Sequence, residues 1–204
     1  MGSILLAFGI DTWWDGLQQQ AEEQRILTGL EADFSATVAT LNTVVGRHRG
    51  YAERADALEG MSEAEMLAIP SDSVDLYMRA MAQYMTFEPR GGTLPALVAA
   101  GQLGLIQDPE LRDLLAEWLQ RLDDSSEEAS FLTSIAEQIA IRMSRVVDLR
   151  KPVSAEDLVL IRSDAETMGL VRAKLFFGGL YAGELRRLQV RGDSVLSAVH
   201  AILR

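Results

Sequence analysis

The chain contains no cysteine, and it has only two histidines and two lysines among its 204 residues. Without cysteine it can form no disulfide bond, thiolate nucleophile or thiolate metal site. His48 and His200 lie too far apart in the sequence to suggest a metal site, so we expect both to be ordinary surface or interface residues. The spacings typical of zinc proteases, nucleotide-binding loops and serine hydrolases are missing as well. The sequence therefore predicts no catalytic residue, no metal and no cofactor.

A long hydrophobic run is also missing. The apolar stretch Ile4 to Ile10 stops at Asp11 and is too short to cross a bilayer, which takes ~20 apolar residues. Trp13 and Trp14 follow this stretch and suit the headgroup level of a membrane, so they are candidate membrane-interface residues. Residues 1–14 are interpreted either as the C-terminal part of a truncated membrane anchor or as a hydrophobic first turn that docks on the domain's own core.

Basic residues are outnumbered by acidic ones, which gives a formal net charge of −11. Nucleic acid is therefore excluded as an expected partner, because binding to phosphate backbones needs a basic stripe. Acidic residues follow the apolar stretch closely, and basic flanks favour the cytoplasmic side of a membrane. We therefore expect anchoring in the bacterial cytoplasmic membrane, with the domain on its outer side.

Helix-forming residues dominate a composition that is 48% hydrophobic and 24% charged. Apolar residues at intervals of three and four predict one long helix from Asp15 to Leu58. Gly46 and Gly50 fall inside it, and each costs ~1 kcal/mol relative to alanine, so a bend or a break is expected there. A last long helix is predicted to end at Leu203. The predicted fold class is all-α, a helical bundle whose long first and last helices pack side by side with shorter helices between, in a single domain over residues 15–204.

Start signals for shorter helices divide the segment between the two long ones. Each signal places a hydrogen-bond-accepting side chain before the first turn, as N-cap residues do. The predicted starts are Ser62, Ser71 or Asp72, Thr93, Asp108, Ser125 and Ser154. The start at Asp108 predicts a helix to about Asp123, and the start at Ser125 predicts a separate helix that ends before Pro152. Gly101 should close the preceding helix in the left-handed conformation.

One loop is a candidate ligand-binding site, because it combines glycines and an arginine with the start of a helix. Successive backbone amides in such a turn can bind an anion, with the arginine as counter-charge. The candidate residues are Glu88, Arg90, Gly91 and Gly92. In the alternative interpretation the glycines only supply positive φ angles for a turn.

Met78, Met81 and Met85 recur at helical spacing. Such a stripe of thioethers can bind monovalent copper, or it can fill gaps in a helical core. We favour the core, because the three methionines share a face with Val74 and Tyr77.

Two segments carry a resemblance to known proteins. Leu5 to Phe34 combines an apolar run, Asp-Thr-Trp-Trp, a stretch rich in glutamine and glutamate, and Arg25-Ile26-Leu27. Leu97 to Leu115 adds Gly101-Gln102-Leu103 and the run from Ile106 to Arg112. In these segments the chain resembles a group of uncharacterised bacterial membrane proteins, in which a single transmembrane helix precedes a helical domain. The resemblance implies a membrane anchor through the N-terminus, and it brings no catalytic residues.

These patterns favour a membrane-tethered helical module that senses a ligand or binds a protein partner. The first alternative is an enzyme with carboxylates and arginines in a cleft between helices, for which Glu88, Arg90 and Arg142 are the candidates. A pocket with convergent polar groups of shifted pKa would favour the enzyme, whereas a dry apolar core would argue against it. The second alternative is a purely structural homo-oligomer.

Overall fold

A computed structural model describes the backbone of residues 2–204 and the side chains of residues 13–204. This part of the chain contains α-helices and one short 3₁₀ turn, and no strand. The helices are α1 (Gly2–Gly60), α2 (Glu63–Leu67), α3 (Ser71–Ala82), α4 (Thr93–Ala99), α5 (Pro109–Val146), α6 (Ala155–Ser163) and α7 (Ala165–Leu203), with the 3₁₀ turn at Leu103–Leu105. The all-α class, with long first and last helices and shorter helices between, is confirmed.

Helix α1 begins before the predicted start at Asp15 and includes the two tryptophans. Trp13 and Trp14 are 63% and 56% exposed, and their assignment to a membrane interface stays a prediction. The side chains of Ile4 to Ile10 lie outside the described residues, so both interpretations of residues 1–14 stay predictions. None of the helices in the described part of the chain combines the length and the apolar character needed to cross a membrane.

Helix α1 continues without a break through Gly46 and Gly50 for a total of 59 residues. The prediction of a break is therefore wrong, whereas a bend stays a prediction. Val44, Val45 and His48 are buried next to the glycines. Burial of a large aliphatic side chain contributes ~1.5–3 kcal/mol, which outweighs the ~1 kcal/mol cost of a glycine in a helix.

A single helix, α5, replaces the two helices predicted around Ser125. The side chain of Ser125 donates to the carbonyl of Leu122 at 2.9 Å and is buried, so it lies within the apolar stripe of a continuing helix. Ser126 likewise donates to the carbonyl of Asp123 at 2.7 Å. A serine followed by acidic residues caps a helix only where the chain enters that helix. Here both serine hydroxyls donate to carbonyl groups three residues earlier, inside the continuous helix α5.

Other start signals are confirmed by their hydrogen bonds. Ser62 and Ser154 each form a complete capping box, in which the serine hydroxyl and an acidic side chain three residues later exchange bonds with backbone amides. The amide of Leu111 donates to the carboxylate of Asp108 at 2.8 Å. Gly101 closes α4 with a φ of +65°, in the left-handed region as predicted.

The chain divides into two compact units that share the three long helices, and the prediction of one domain over residues 15–204 stays a prediction. The first unit comprises Met1–Thr40, Pro89–Arg121 and Leu188–Arg204. In its core the ring of Phe34 on α1 meets the edge of Trp118 on α5, with centroids 5.0 Å apart. Here α1 also contacts α7, since His200 Nε2 lies 2.7 Å from Glu31 Oε1.

The second unit comprises Leu41–Glu88 and Leu122–Arg187. Its apolar core is rich in methionine, which adapts to irregular gaps between helices. Met81 is completely buried there and Met78 packs against the same core, as expected for core residues. The guanidinium of Arg172 on α7 donates to the carboxylate of Glu59 on α1 at 2.8 Å. The predicted side-by-side contact of the first and last helices is therefore present within this unit as well.

Candidate functional site

The loop predicted to bind a ligand is divided between the two units. Arg90, Gly91 and Gly92 belong to the first unit and Glu88 to the second, and all four residues are exposed. In the first unit the backbone amide of Arg90 donates to the hydroxyl of Thr37 at 3.2 Å, and that hydroxyl donates to the carbonyl of Arg90 at 3.0 Å. The structure therefore fixes the arginine's backbone, while its guanidinium lies at the surface.

A carboxylate of the chain itself lies where this loop was predicted to bind an anion. The amide of Thr93, the first residue of α4, donates to Asp33 Oδ2 at 2.9 Å. Gly91 has a φ of +105°, and a Cβ on it would lie 2.0 Å from Asp33 Cγ. Asp33 therefore performs the capping role expected of Thr93, and Gly91 is required for the carboxylate's close approach. Binding of an external anion by Glu88, Arg90, Gly91 and Gly92 stays a prediction.

The second unit contains a different candidate site, a cavity of about 200 Å³ bordered by α1 and α7. Each helix contributes side chains from one face, at intervals of three to four residues. Helix α1 supplies His48, Arg49, Tyr51 and Ala52, and helix α7 supplies Lys174, Leu175, Gly178, Gly179, Ala182 and Arg186. We call this space the cationic cavity, because its ionisable lining residues are basic or aromatic and none is acidic.

Lys174 is the most unusual residue of the cationic cavity, because it is a lysine only 2% exposed. Its Nζ donates to the carbonyl of Ala80, in the last turn of α3, at 2.7 Å and lies 5.2 Å from the centre of the Tyr51 ring. The partial negative charge at a helix C-terminus and the face of an aromatic ring both favour a cation. No carboxylate pairs with Lys174 in the described residues, and burial lowers its pKa to about 8.

His48 lies next to Lys174 and is 7% exposed, so it lies at an interface between helices rather than at the surface. Its Nε2 lies 2.8 Å from the carbonyl oxygen of Met85, which can only accept, so Nε2 carries the proton. Burial is the main cause that lowers its pKa, and the charge of Lys174 lowers it further, although the bond to Met85 opposes the shift. At neutral pH the imidazole is therefore uncharged, and Nδ1 has a free lone pair.

An aromatic residue, Tyr181, packs against the imidazole of His48. The ring of Tyr181 meets the imidazole edge to face with centroids 5.4 Å apart. The hydroxyl of Tyr181 accepts a hydrogen bond from the amide of Phe87 at 2.8 Å. Burial raises the pKa of Tyr181, so the phenol stays protonated at neutral pH. The Nδ1 side of His48 faces Gly178, where an added Cβ would lie 3.5 Å away.

Arg49 and Arg186 complete the positive lining from the exposed side of the cavity. Neither arginine forms an ion pair within the part of the chain that the structure describes. By contrast, Arg187 is paired with Glu184 at 2.6 Å, although it is adjacent in sequence to Arg186. The cavity thus presents three cationic groups without a carboxylate, in a chain whose net charge is −11.

Of the residues named for an enzyme cleft, Arg142 has a structural role, and the cleft itself stays a prediction. Arg142 belongs to the second unit, where its Nε donates to Asp164 at 3.0 Å and its Nη1 lies 2.7 Å from Glu166. Asp164 in turn caps α7 through the amide of Thr167 at 2.9 Å, and its bonds to Arg142 and Thr167 hold the pKa of that carboxyl well below its usual range. Arg142 therefore stabilises the start of α7, whereas Arg90 lies in the first unit.

Sequence reasoning missed the cationic cavity because its residues are far apart in the chain. Gly178 and Gly179 form a pair of residues without side chains inside the last long helix. Lys174, one of two lysines in an arginine-rich chain, falls four residues before Gly178 and therefore on the same helix face. That spacing places a cation one helical turn from two residues without side chains.

Comparison with protein-family models, with curated proteins and with solved structures finds no match for this chain. The resemblance to single-span membrane proteins is therefore wrong, because no family model supports it and the described helices include none able to cross a membrane. Among the described residues, no three or more His, Asp and Glu side chains cluster in a way that could hold a metal ion. By its fold and its site, this chain is an all-α protein with a cationic cavity.

Proposed function

We propose that the second unit is a ligand-binding module that takes a small carboxylic acid into the cationic cavity. The observation that carries the proposal is the set of three cations, Lys174, Arg49 and Arg186, around one cavity without an acidic residue in its lining. A buried cation without a counter-charge is costly, and an anionic ligand supplies that charge. The proposal specifies the ligand-sensing role that the sequence favours.

The size of the cavity supports a small ligand. Its volume of about 200 Å³ is below the ~300–1,000 Å³ of pockets for drug-sized molecules. Ala52, Leu175 and Ala182 supply aliphatic wall, so the part of the ligand beyond the carboxylate should be short and apolar. A short-chain acid satisfies both conditions, whereas a nucleotide is too large.

Titration of the full chain with short acids tests the proposal. Propionate and butyrate should raise the melting temperature and give saturable heats of binding, because a ligand that binds only the folded state stabilises it. The neutral amides propionamide and butyramide have similar shapes, and they should have no effect.

Two neighbouring arginines provide a matched pair of variants. Arg186→Gln removes a cation from the cavity and should weaken propionate binding about tenfold, ~1.4 kcal/mol, as expected for one charge-assisted hydrogen bond. Arg187→Gln removes the same charge from the adjacent, non-lining position and should leave affinity unchanged. Equal loss in the two variants, or equal binding of acid and amide, would contradict the proposal.

A further inference from the structure

The amine of Lys174 is placed for chemistry as well as for charge. It lines a cavity, it has no carboxylate partner in the described residues, and the neighbouring imidazole of His48 is oriented by the carbonyl of Met85. A lysine amine in such surroundings is a nucleophile toward carbonyl carbon. The other lysine, Lys151, is 78% exposed and lies 3.8 Å from Asp148, so it offers an ordinary amine within the same chain.

We propose that Lys174 reversibly captures the carbonyl carbon of a small 2-oxo acid as an imine inside the cationic cavity. The inference rests on the proposed function, because the carboxylate of the 2-oxo acid would be held in the same cationic cavity, by Arg49. It extends that function from binding an acid to covalent recognition of one class of acid.

The position of the reacting group follows from the ligand's own geometry. In a 2-oxo acid the electrophilic carbon is bonded directly to the carboxylate carbon, so the cation that holds the carboxylate must lie close to the amine. Arg186 is twelve residues from Lys174 on α7, ~18 Å along the helix axis, and is too far away for this role. Arg49 lines the same cavity from α1 and is adjacent in sequence to His48, so we assign the carboxylate of the 2-oxo acid to Arg49. Gly178, one turn from Lys174, leaves space beside the amine.

The amine needs to be unprotonated to react. Burial lowers the pKa of Lys174 to about 8, so roughly one molecule in ten carries the free amine at pH 7. An ordinary lysine, with a pKa near 10.4, is free in fewer than about one molecule in a thousand. At equal intrinsic reactivity Lys174 should therefore react on the order of a hundredfold faster than an ordinary lysine at neutral pH.

The chemistry balances without an oxidant or a reductant. The nitrogen lone pair of Lys174 forms a bond to the carbonyl carbon, the π electrons of the carbon–oxygen double bond move to the oxygen, and a proton passes from the nitrogen to that oxygen, which becomes a hydroxyl. The hydroxyl then takes up a proton and leaves as water while the carbon–nitrogen double bond forms. The free Nδ1 of His48 is a basic group beside the cavity that can accept the first proton and return it to the leaving oxygen.

Reductive trapping of the full chain tests the inference. The protein is incubated with pyruvate and cyanoborohydride at pH 7.5, and the resulting secondary amine is located by peptide mass mapping. Lys174 should be labelled at least tenfold faster than Lys151. Acetone, which has the ketone without the carboxylate, should label Lys174 more slowly than pyruvate does, and an excess of propionate should protect Lys174 alone.

Each outcome decides one claim. Equal labelling of Lys174 and Lys151, or no label on Lys174 while propionate still binds by titration, would overturn the imine and leave the binding function intact. Loss of propionate binding itself would overturn the proposed function. Protection by propionate reports whether the label forms inside the cationic cavity of the wild-type chain. Labelling of Lys174 that an excess of propionate does not reduce would also overturn the imine.

Discussion

Replacing Gly178 by alanine should stabilise the fold and weaken ligand binding at the same time. The position is helical, and glycine in the interior of a helix costs ~0.5–1 kcal/mol relative to alanine. An added Cβ would meet only His48 Nδ1, at an ordinary contact distance of 3.5 Å. The substitution therefore needs no rearrangement, and its stability gain should be close to the full difference in helix propensity.

The same methyl group would occupy the cationic cavity. Gly178 lines the cavity, and its Cβ would cover the Nδ1 face of the imidazole. A methyl group fills ~30 Å³ of a cavity of about 200 Å³, roughly the space of one water molecule. The affinity for propionate should fall about tenfold or more, since overpacking a filled site costs ~1–3 kcal/mol.

Gly183→Ala is the matched control, because Gly183 lies in the same helix and does not line the cavity, and a Cβ added there would meet nothing within 4 Å. Denaturant unfolding should show a gain of ~0.5–1 kcal/mol for both variants, and calorimetry should show weaker binding for Gly178→Ala alone. Wild-type affinity in a stabilised Gly178→Ala protein would refute the assignment of the ligand to this cavity.

Three further predictions concern the core, the buried lysine and the predicted loop. In thermal melts Leu30→Ala should cost ~2–5 kcal/mol because Leu30 is completely buried, whereas Glu22→Ala should cost ~0.5 kcal/mol or less because its ion pair is exposed. The stability of the wild type relative to Lys174→Met should rise between about pH 8 and pH 10.5 in denaturant titrations, because the unfolded lysine binds more protons than the folded one in that range. Gly91→Ala should destabilise by more than ~1 kcal/mol by calorimetry, because its Cβ would collide with Asp33 and its φ is positive.

The helices and several of their ends were predictable because they depend on neighbours in sequence. Ser62 and Ser154 each carry an acid three residues later, and the capping box that this spacing predicts is formed in both places. The same signal failed at Ser125, because the apolar stripe of α5 passes through it. Whether a serine caps a helix or continues one depends on what the next turn packs against, which is a tertiary property.

The candidate sites depended on contacts that a local pattern cannot supply. The loop before α4 was predicted to bind an external anion, which stays a prediction, and the carboxylate that accepts from the amide of Thr93 belongs to Asp33, 60 residues away. His48 and Lys174 meet only because α1 and α7 pack in one register within the second unit. Their separate sequence contexts, an arginine-flanked histidine and a lysine before paired glycines, give no spacing rule that joins them.

Two features that each reduce stability coincide at the cationic cavity. Compared with two alanines, Gly178 and Gly179 destabilise the helix by ~1–2 kcal/mol. Nothing in the surrounding packing requires glycine at either position. Lys174 buries a charge that an aliphatic side chain of similar length would avoid. A purely structural contact between α1 and α7 gains from neither feature, since alanines and a methionine would pack there at lower cost. A ligand with a negative charge uses both, because the glycines leave it space and the lysine attracts it, and this coincidence is the physical argument for a binding site.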